Sequence, residues 1–247
     1  MMGLLFLGLK ERASLNFSQD MAQKMGNQIW YNECRGKIEG LTVWNEGEAF
    51  ASLGIGHFIW SPEPFIMQQT FPSFLDFLRR QKVDVPIWLQ EMRHCPWQSR
   101  QEFMRAQASP QMLQLKELLQ NTVSLQVQFI VERLQRVLPK ILRHAPDSKK
   151  KHIVFQFRRL AKHEAGRFAL LDYTNFKGEG FCCPERGWGV VCVLASMQGS
   201  LPDKATAEFV EVAKSLLNRR VELSDGQEKR FLKGWHNRLD TYLKFGQ

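Results

Sequence analysis

The stretch from Leu41 to Trp60 does most to limit what this chain can fold into. It is short, rich in β-branched and aromatic residues, and broken by Asn45-Glu46-Gly47, which predicts a small β-hairpin or three-stranded sheet. Ser61-Pro62-Glu63-Pro64 then ends it. Ahead of it, Ser18 to Glu33 reads as a helix, with Ser18 as cap and Met21, Ala22, Met25 and Ile29 at three- and four-residue steps. Behind it the pattern is helical. An apolar stretch opened by Pro72, with Phe74, Leu75, Phe77 and Leu78, comes first, then Pro86 to Met92, Ser99 to Gln107, Pro110 to Gln120 and Val123 to Leu138. Asp147 to His163, Gly187 to Met197, Asp203 to Arg219 and Ser224 to Leu243 follow. Pro139 and Pro146 punctuate the series, and Leu171 to Glu185 reads as a glycine-containing loop. The sum is an α+β, predominantly α chain with its one small sheet near the N-terminus.

Composition narrows the class without choosing a function. Apolar residues at 44% and charged residues at 24% exclude wholesale disorder. The net charge of +9 favours polyanionic partners such as nucleic acid, anionic headgroups or wall polymers. The basic runs Lys149-Lys150-Lys151, Arg158-Arg159 and Arg219-Arg220 lack aromatic interleaving and read as solvated helix faces, so no nucleic-acid partner is expected. The apolar run Met1 to Leu9 is too short to span a bilayer and lacks a basic n-region. Residues 1–17 are therefore either the remnant of a signal sequence or a short buried segment. A periplasmic or secreted location is expected, with a cytoplasmic one left open. Cys34, Cys95, Cys182, Cys183 and Cys192 are too few and too irregular for a disulfide scaffold. A metal site from Cys182, Cys183, Cys192 and a distant His has no CxxC spacing behind it, so neither metal nor cofactor is expected.

Glu33 is the residue best placed for acid chemistry. On a helix it continues the stripe of Ala22, Met25 and Ile29 within a narrow arc. Partial desolvation and the negative end of the helix dipole both raise the pKa of a carboxyl placed there, which a general acid working near neutral pH requires. The bland reading is a helix-ending Glu that reaches solvent. Further on, Gly54 and Gly56 cost stability in a strand unless something needs close backbone approach. Glu48, Phe50 and Ser52 alternate onto one face, which projects a carboxylate and a hydroxyl together. Trp30, Trp44 and Trp60 can offer apolar platforms to sugar faces, against plain core packing as the alternative. Cys34 with His57 as base suggests a thiol peptidase, but a catalytic Cys normally opens a helix rather than ending one.

Glu39-Gly40-Leu41 followed by Ser52-Leu53-Gly54-Ile55-Gly56-His57 resembles the phage-type lysozyme signature, in which Glu-Gly-Leu ends the first helix and a hairpin runs into Thr-Ile-Gly-x-Gly-His. Glu33 closing a helix, followed by Cys34 and Gly36, resembles goose-type lysozymes and lytic transglycosylases. This likeness covers residues 18–60 and implies a lysozyme-like fold. Residues 18–247 would form a single domain, with a small β lobe over about residues 37–62 packed against a helical lobe. The wider strings Ile29 to Trp60, Asp172-Tyr173-Thr174-Asn175-Phe176-Lys177-Gly178-Glu179-Gly180 and Gly187-Trp188-Gly189 resemble a group of bacterial proteins that carries no assigned chemistry. Two departures stand out. Glu39 lies nearer His57 in sequence, and Glu33 farther, than the phage-type acid lies from its His. The hairpin Asp has no Asp counterpart, leaving Glu46 or Glu48.

The resemblance implies a glycoside hydrolase or lytic transglycosylase acting on β-linked amino-sugar polymers, peptidoglycan above all. Glu33 would be the acid, with Glu39 as the alternative. Glu48 with Ser52 would assist the nucleophile or stabilise the oxocarbenium-like state. Trp44, Asn45, His57 and Trp60 would line the substrate site, with His57 ordering the hairpin. Asp172, Asn175 and Glu179 would line the far wall or stabilise their own loop. The rival classes are a glycan-binding module without catalysis and a nucleic-acid binder, the latter marked by steep salt dependence.

Overall fold

The structure, a computed structural model, describes residues 18–62, 69–144, 147–180 and 187–246. The N-terminal segment 1–17 and the Cys182-Cys183 pair lie outside the described residues. The chain divides into two compact units, one ending at Ile130 and the other beginning at Val131.

In the first unit, α1 (Gln19–Cys34) begins on Ser18, whose hydroxyl accepts the Met21 N–H at 3.2 Å. Ala22, Met25 and Ile29 are buried as the periodicity requires. The helix stops where Arg35 takes a left-handed conformation (φ 58°) and the N–H groups of Arg35 and Gly36 return to Tyr31 and Trp30. A 3-10 turn, Ile38–Leu41, leads into β1 (Thr42–Val43), β2 (Ala51–Leu53) and β3 (Phe58–Trp60). They form one antiparallel sheet in the order β1-β2-β3, with Val43 opposite Ser52 and Ser52 opposite Ile59. Thr70 pins the next helix to β3: its hydroxyl accepts the Ile59 N–H at 2.7 Å and its own N–H donates to Ile59 O.

That helix, α2 (Phe71–Arg80), precedes α3 (Ile87–Gln90), α4 (Arg100–Arg105), α5 (Pro110–Asn121) and α6 (Val123–His144). The core is strongly aromatic. Phe58 stacks on Phe74 at 4.9 Å and meets the edge of Phe129 at 5.3 Å. Trp60 packs among Phe71, Trp88 and Trp97. Each such pair adds about 0.5–1.5 kcal/mol beyond the area it buries. α1 meets the start of α6 through Gly26, where a Cβ would come within 2.7 Å of Val123 Cγ1 and 3.0 Å of Val127 Cγ2.

The second unit holds the rest of α6, then α7 (Asp147–Ala161), α8 (Glu164–Lys177), α9 (Val190–Ser196), α10 (Ala205–Leu223) and α11 (Lys229–Lys244). Phe168, Tyr173, Phe209 and Tyr242 are fully buried at its centre. Two expectations need correction. α6 runs through Pro139 instead of ending before it, the helix continuing despite one missing N–H. Leu171 to Lys177 is helical rather than loop: the segment belongs to the buried face of α8, and Gly178 (φ 76°) is its C-cap. The mainly helical α+β class with one small antiparallel sheet is as the sequence leads one to expect.

Candidate active site

Glu33 is the penultimate residue of α1, and its side chain is only 12% exposed. His57 closes the turn that joins β2 to β3. That turn is tight. The His57 N–H donates to Gly54 O at 3.2 Å, the Gly54 N–H donates to Leu41 O at 2.8 Å, and both Gly54 (φ 69°) and His57 (φ 44°) are left-handed. Glycine at 54 tolerates this; a histidine there costs about 1–2 kcal/mol. Gly56 is needed for a different reason, since a Cβ would fall 2.4 Å from Phe58 Cε1.

The turn brings the imidazole to the carboxyl. His57 Nδ1 is 3.6 Å from Glu33 Oε2, with the ring 36% exposed. This is ion-pair range and longer than a hydrogen bond. When the ring is protonated it offsets a carboxylate that stands at the negative end of α1, and the exposed part of the ring connects the pair to solvent. The turn thus sets a shielded carboxyl and a part-exposed imidazole side by side.

The other expected residues divide. Glu39 is exposed in its 3-10 turn. Glu48 lies in the connection between β1 and β2, not on β2, so it does not alternate with Ser52 along a strand. Its Oε2 accepts the Asn45 side-chain N–H at 3.1 Å, and its carbonyl accepts the Trp44 Nε1–H at 2.7 Å. Asn45 and Glu48 thus form one local cluster. Ser52 is buried, at 5% exposure, on the central strand. Trp44 and Trp60 are buried as well, so in this conformation they are core walls and not sugar platforms. Trp30 is partly exposed and donates its Nε1–H to Lys37 O at 3.0 Å.

Asp172, Asn175 and Glu179 belong to the second unit. Asp172 is fully buried on α8, gripped by Arg238 through Nε and Nη2, each at 2.8 Å, and by the Tyr242 hydroxyl. Its oxygens are committed to this pair, so the reading of Asp172 as a wall residue for substrate is corrected to a structural one. Asn175 is partly exposed on the same helix. Glu179 follows it: its carbonyl accepts the Val191 N–H at 3.2 Å, and its charge partly offsets the burial that lowers the Arg133 pKa.

Sequence reasoning missed Gln126. It is fully buried on α6, and its Oε1 accepts the Ile55 N–H at 2.8 Å inside the histidine-bearing turn. The signal was present: an amide set among Val123, Val127 and Ile130 on an otherwise apolar stripe needs a polar partner. Among the described residues no group of His, Cys, Asp and Glu side chains is arranged to hold a metal ion. Nor is any described helix long and apolar enough to cross a membrane. No protein-family model, curated protein or solved structure matches the chain.

Proposed function

We propose that this chain is a lysozyme-like glycosidase that cleaves a β-1,4-linked amino-sugar polymer, peptidoglycan being the expected substrate, with Glu33 as general acid. The observation that carries this reading is the juxtaposition of Glu33 with His57. A shielded carboxyl at a helix end, the part that resembles goose-type lysozymes, meets the histidine of the Gly-x-Gly-His turn that resembles the phage-type signature. In the reaction, protonated Glu33 donates to the glycosidic oxygen as the C1–O bond breaks, the alcohol leaves, and a second carboxylate stabilises the positive charge developing at the anomeric carbon. Water adding at that carbon returns a proton to the enzyme. Glu48, held by Asn45, is the second carboxylate of the proposal.

Basic charge suits an anionic wall polymer, since +9 overall favours its approach. Mass spectrometry of purified peptidoglycan after incubation with the protein tests the reading. Reducing-end muropeptides indicate hydrolysis, and anhydro products indicate a lytic transglycosylase on the same scaffold. Absence of any product from the folded wild-type protein overturns the proposal. Equal glycan binding by wild type and Glu33→Gln, with no product from either, identifies a binding module.

A further inference from the structure

We infer that Gln126 is the positioning residue of this site, holding the His57 turn in register with the helix that carries Glu33. The inference rests on the reading of Glu33 as the acid. Gln126 is 0% exposed, and both ends of its amide are used. Oε1 accepts the Ile55 N–H at 2.8 Å, while Nε2 donates to Leu119 O at 2.6 Å and lies 3.3 Å from Thr122 Oγ1. Thr122 in turn donates to Leu118 O at 2.7 Å. The Leu119 carbonyl dictates which end of the amide faces the turn, because it can only accept.

The turn is shaped to receive this amide. A Cβ on Gly54 would lie 2.3 Å from Gln126 Oε1 and 3.1 Å from its Cδ, so the backbone sits directly against the side chain. The contact falls on Ile55, between Gly54 and His57, whose own hydrogen bond closes the turn. Meanwhile Val123 and Val127, on either side of Gln126, pack on α1 at Gly26. One short stretch of α6 therefore braces the helix bearing Glu33 through its valines and the turn bearing His57 through its amide. An apolar residue at 126 fills the space but takes the acceptor from the buried Ile55 N–H and leaves the Leu119 carbonyl with the Thr122 hydroxyl at 3.5 Å.

The test uses the full chain and reads geometry separately from activity. In wild type, nuclear Overhauser cross-peaks should link the His57 ring to the Glu33 side chain, and the Ile55 amide should exchange slowly. Gln126→Leu should lose those cross-peaks and speed Ile55 exchange by about tenfold or more, the scale expected for a lost buried hydrogen bond. It should also lower kcat on glycan with KM little changed. A folded Gln126→Leu protein with cross-peaks and exchange unaltered overturns the inference. Should that variant not fold, Gln126→Glu decides. Its protonated carboxyl can accept from Ile55 and donate to Leu119, so the cross-peaks should be kept at acid pH and lost as the carboxyl ionises. Their persistence at all pH values overturns the inference. Failure of wild type to cut any glycan sinks the proposed activity, yet leaves the cross-peaks and exchange to judge Gln126.

Discussion

Glu33 and His57 meet at 3.6 Å, Oε2 to Nδ1, although one comes from a helix end and the other from a hairpin turn. Packing between elements brings them together. α1 ends beside the turn because Gly26 lets it settle on α6, and the turn stays because Gln126 receives its Ile55 N–H. The pair is thus a product of tertiary packing, which gives each of its parts a separate experimental handle.

Replacing Glu33 by Gln should abolish glycan cleavage while leaving the fold and glycan binding nearly intact, since the amide keeps the shape and cannot deliver a proton. Loss of general-acid assistance costs about 10²–10⁴ in rate. Glu39→Gln should cost far less, because Glu39 is exposed. Parallel turnover assays separate the two. A dead Glu39 variant beside an active Glu33 variant would mean that the phage-type alignment names the acid.

His57 adopts φ 44°, a conformation in which a Cβ is unfavourable. His57→Gly should therefore raise the unfolding midpoint or leave it level, as relief of about 1 kcal/mol of backbone strain offsets the lost ring contacts. His57→Ala keeps the strain and loses the ring, so it should be the less stable of the two. Both should be impaired in cleavage. Urea unfolding ranks the pair, and an alanine variant more stable than the glycine variant would show that the turn carries no strain at 57.

The first helix and the hairpin were legible because each has a local cause: a capping Ser18, a stripe through Ile29, and glycines where the β2–β3 turn reverses; α8 (Glu164–Lys177) was not expected as a helix. The proximity of Glu33 and His57 was not. Periodicity gives the face of a helix but not what packs on it, and the partner that fixes the turn, Gln126, is remote in sequence (71 positions from Ile55). Asp172 misled for a related reason. Among Asn175, Gly178 and Gly180 it looked like a loop residue, while Arg238 and Tyr242, which account for it, lie on α11. Trp44 and Trp60 show the limit of composition: an aromatic that packs and an aromatic that binds are the same letter.

Asp172 should behave as a stability residue. Arg238 is 8% exposed, and its guanidinium also lies over the Phe176 ring at 4.2 Å. Removing the carboxylate with Asp172→Asn leaves that charge without its bidentate partner, and breaking a buried pair this way costs about 3–5 kcal/mol. The double change Asp172→Leu with Arg238→Met should cost less than Asp172→Asn alone, because no charge is then stranded. Denaturant unfolding measures both. A single variant as stable as wild type would mean that the buried pair contributes nothing.

Glu208 should make the chain sensitive to acid. Burial alone would push its carboxyl up, but the Gly199 N–H at 2.7 Å, the Arg159 guanidinium at 2.8 Å and the Gln198 N–H outweigh it and hold the group below its ordinary value of 4.5. A folded-state pKa lower than the unfolded one means that the unfolded chain binds the proton more readily. The stabilisation is then complete above about pH 4.5 and is lost as pH falls through the folded value. Arg159, 3% exposed, loses its counter-charge in the same range. Glu208→Gln should accordingly be the less stable protein at neutral pH, and its deficit should shrink as pH falls below 4.5. Urea midpoints of the two proteins from pH 7 down to about pH 3 test this. A gap that stays constant over that span would show that the carboxylate charge at 208 has no part in holding the α7–α10 pairing.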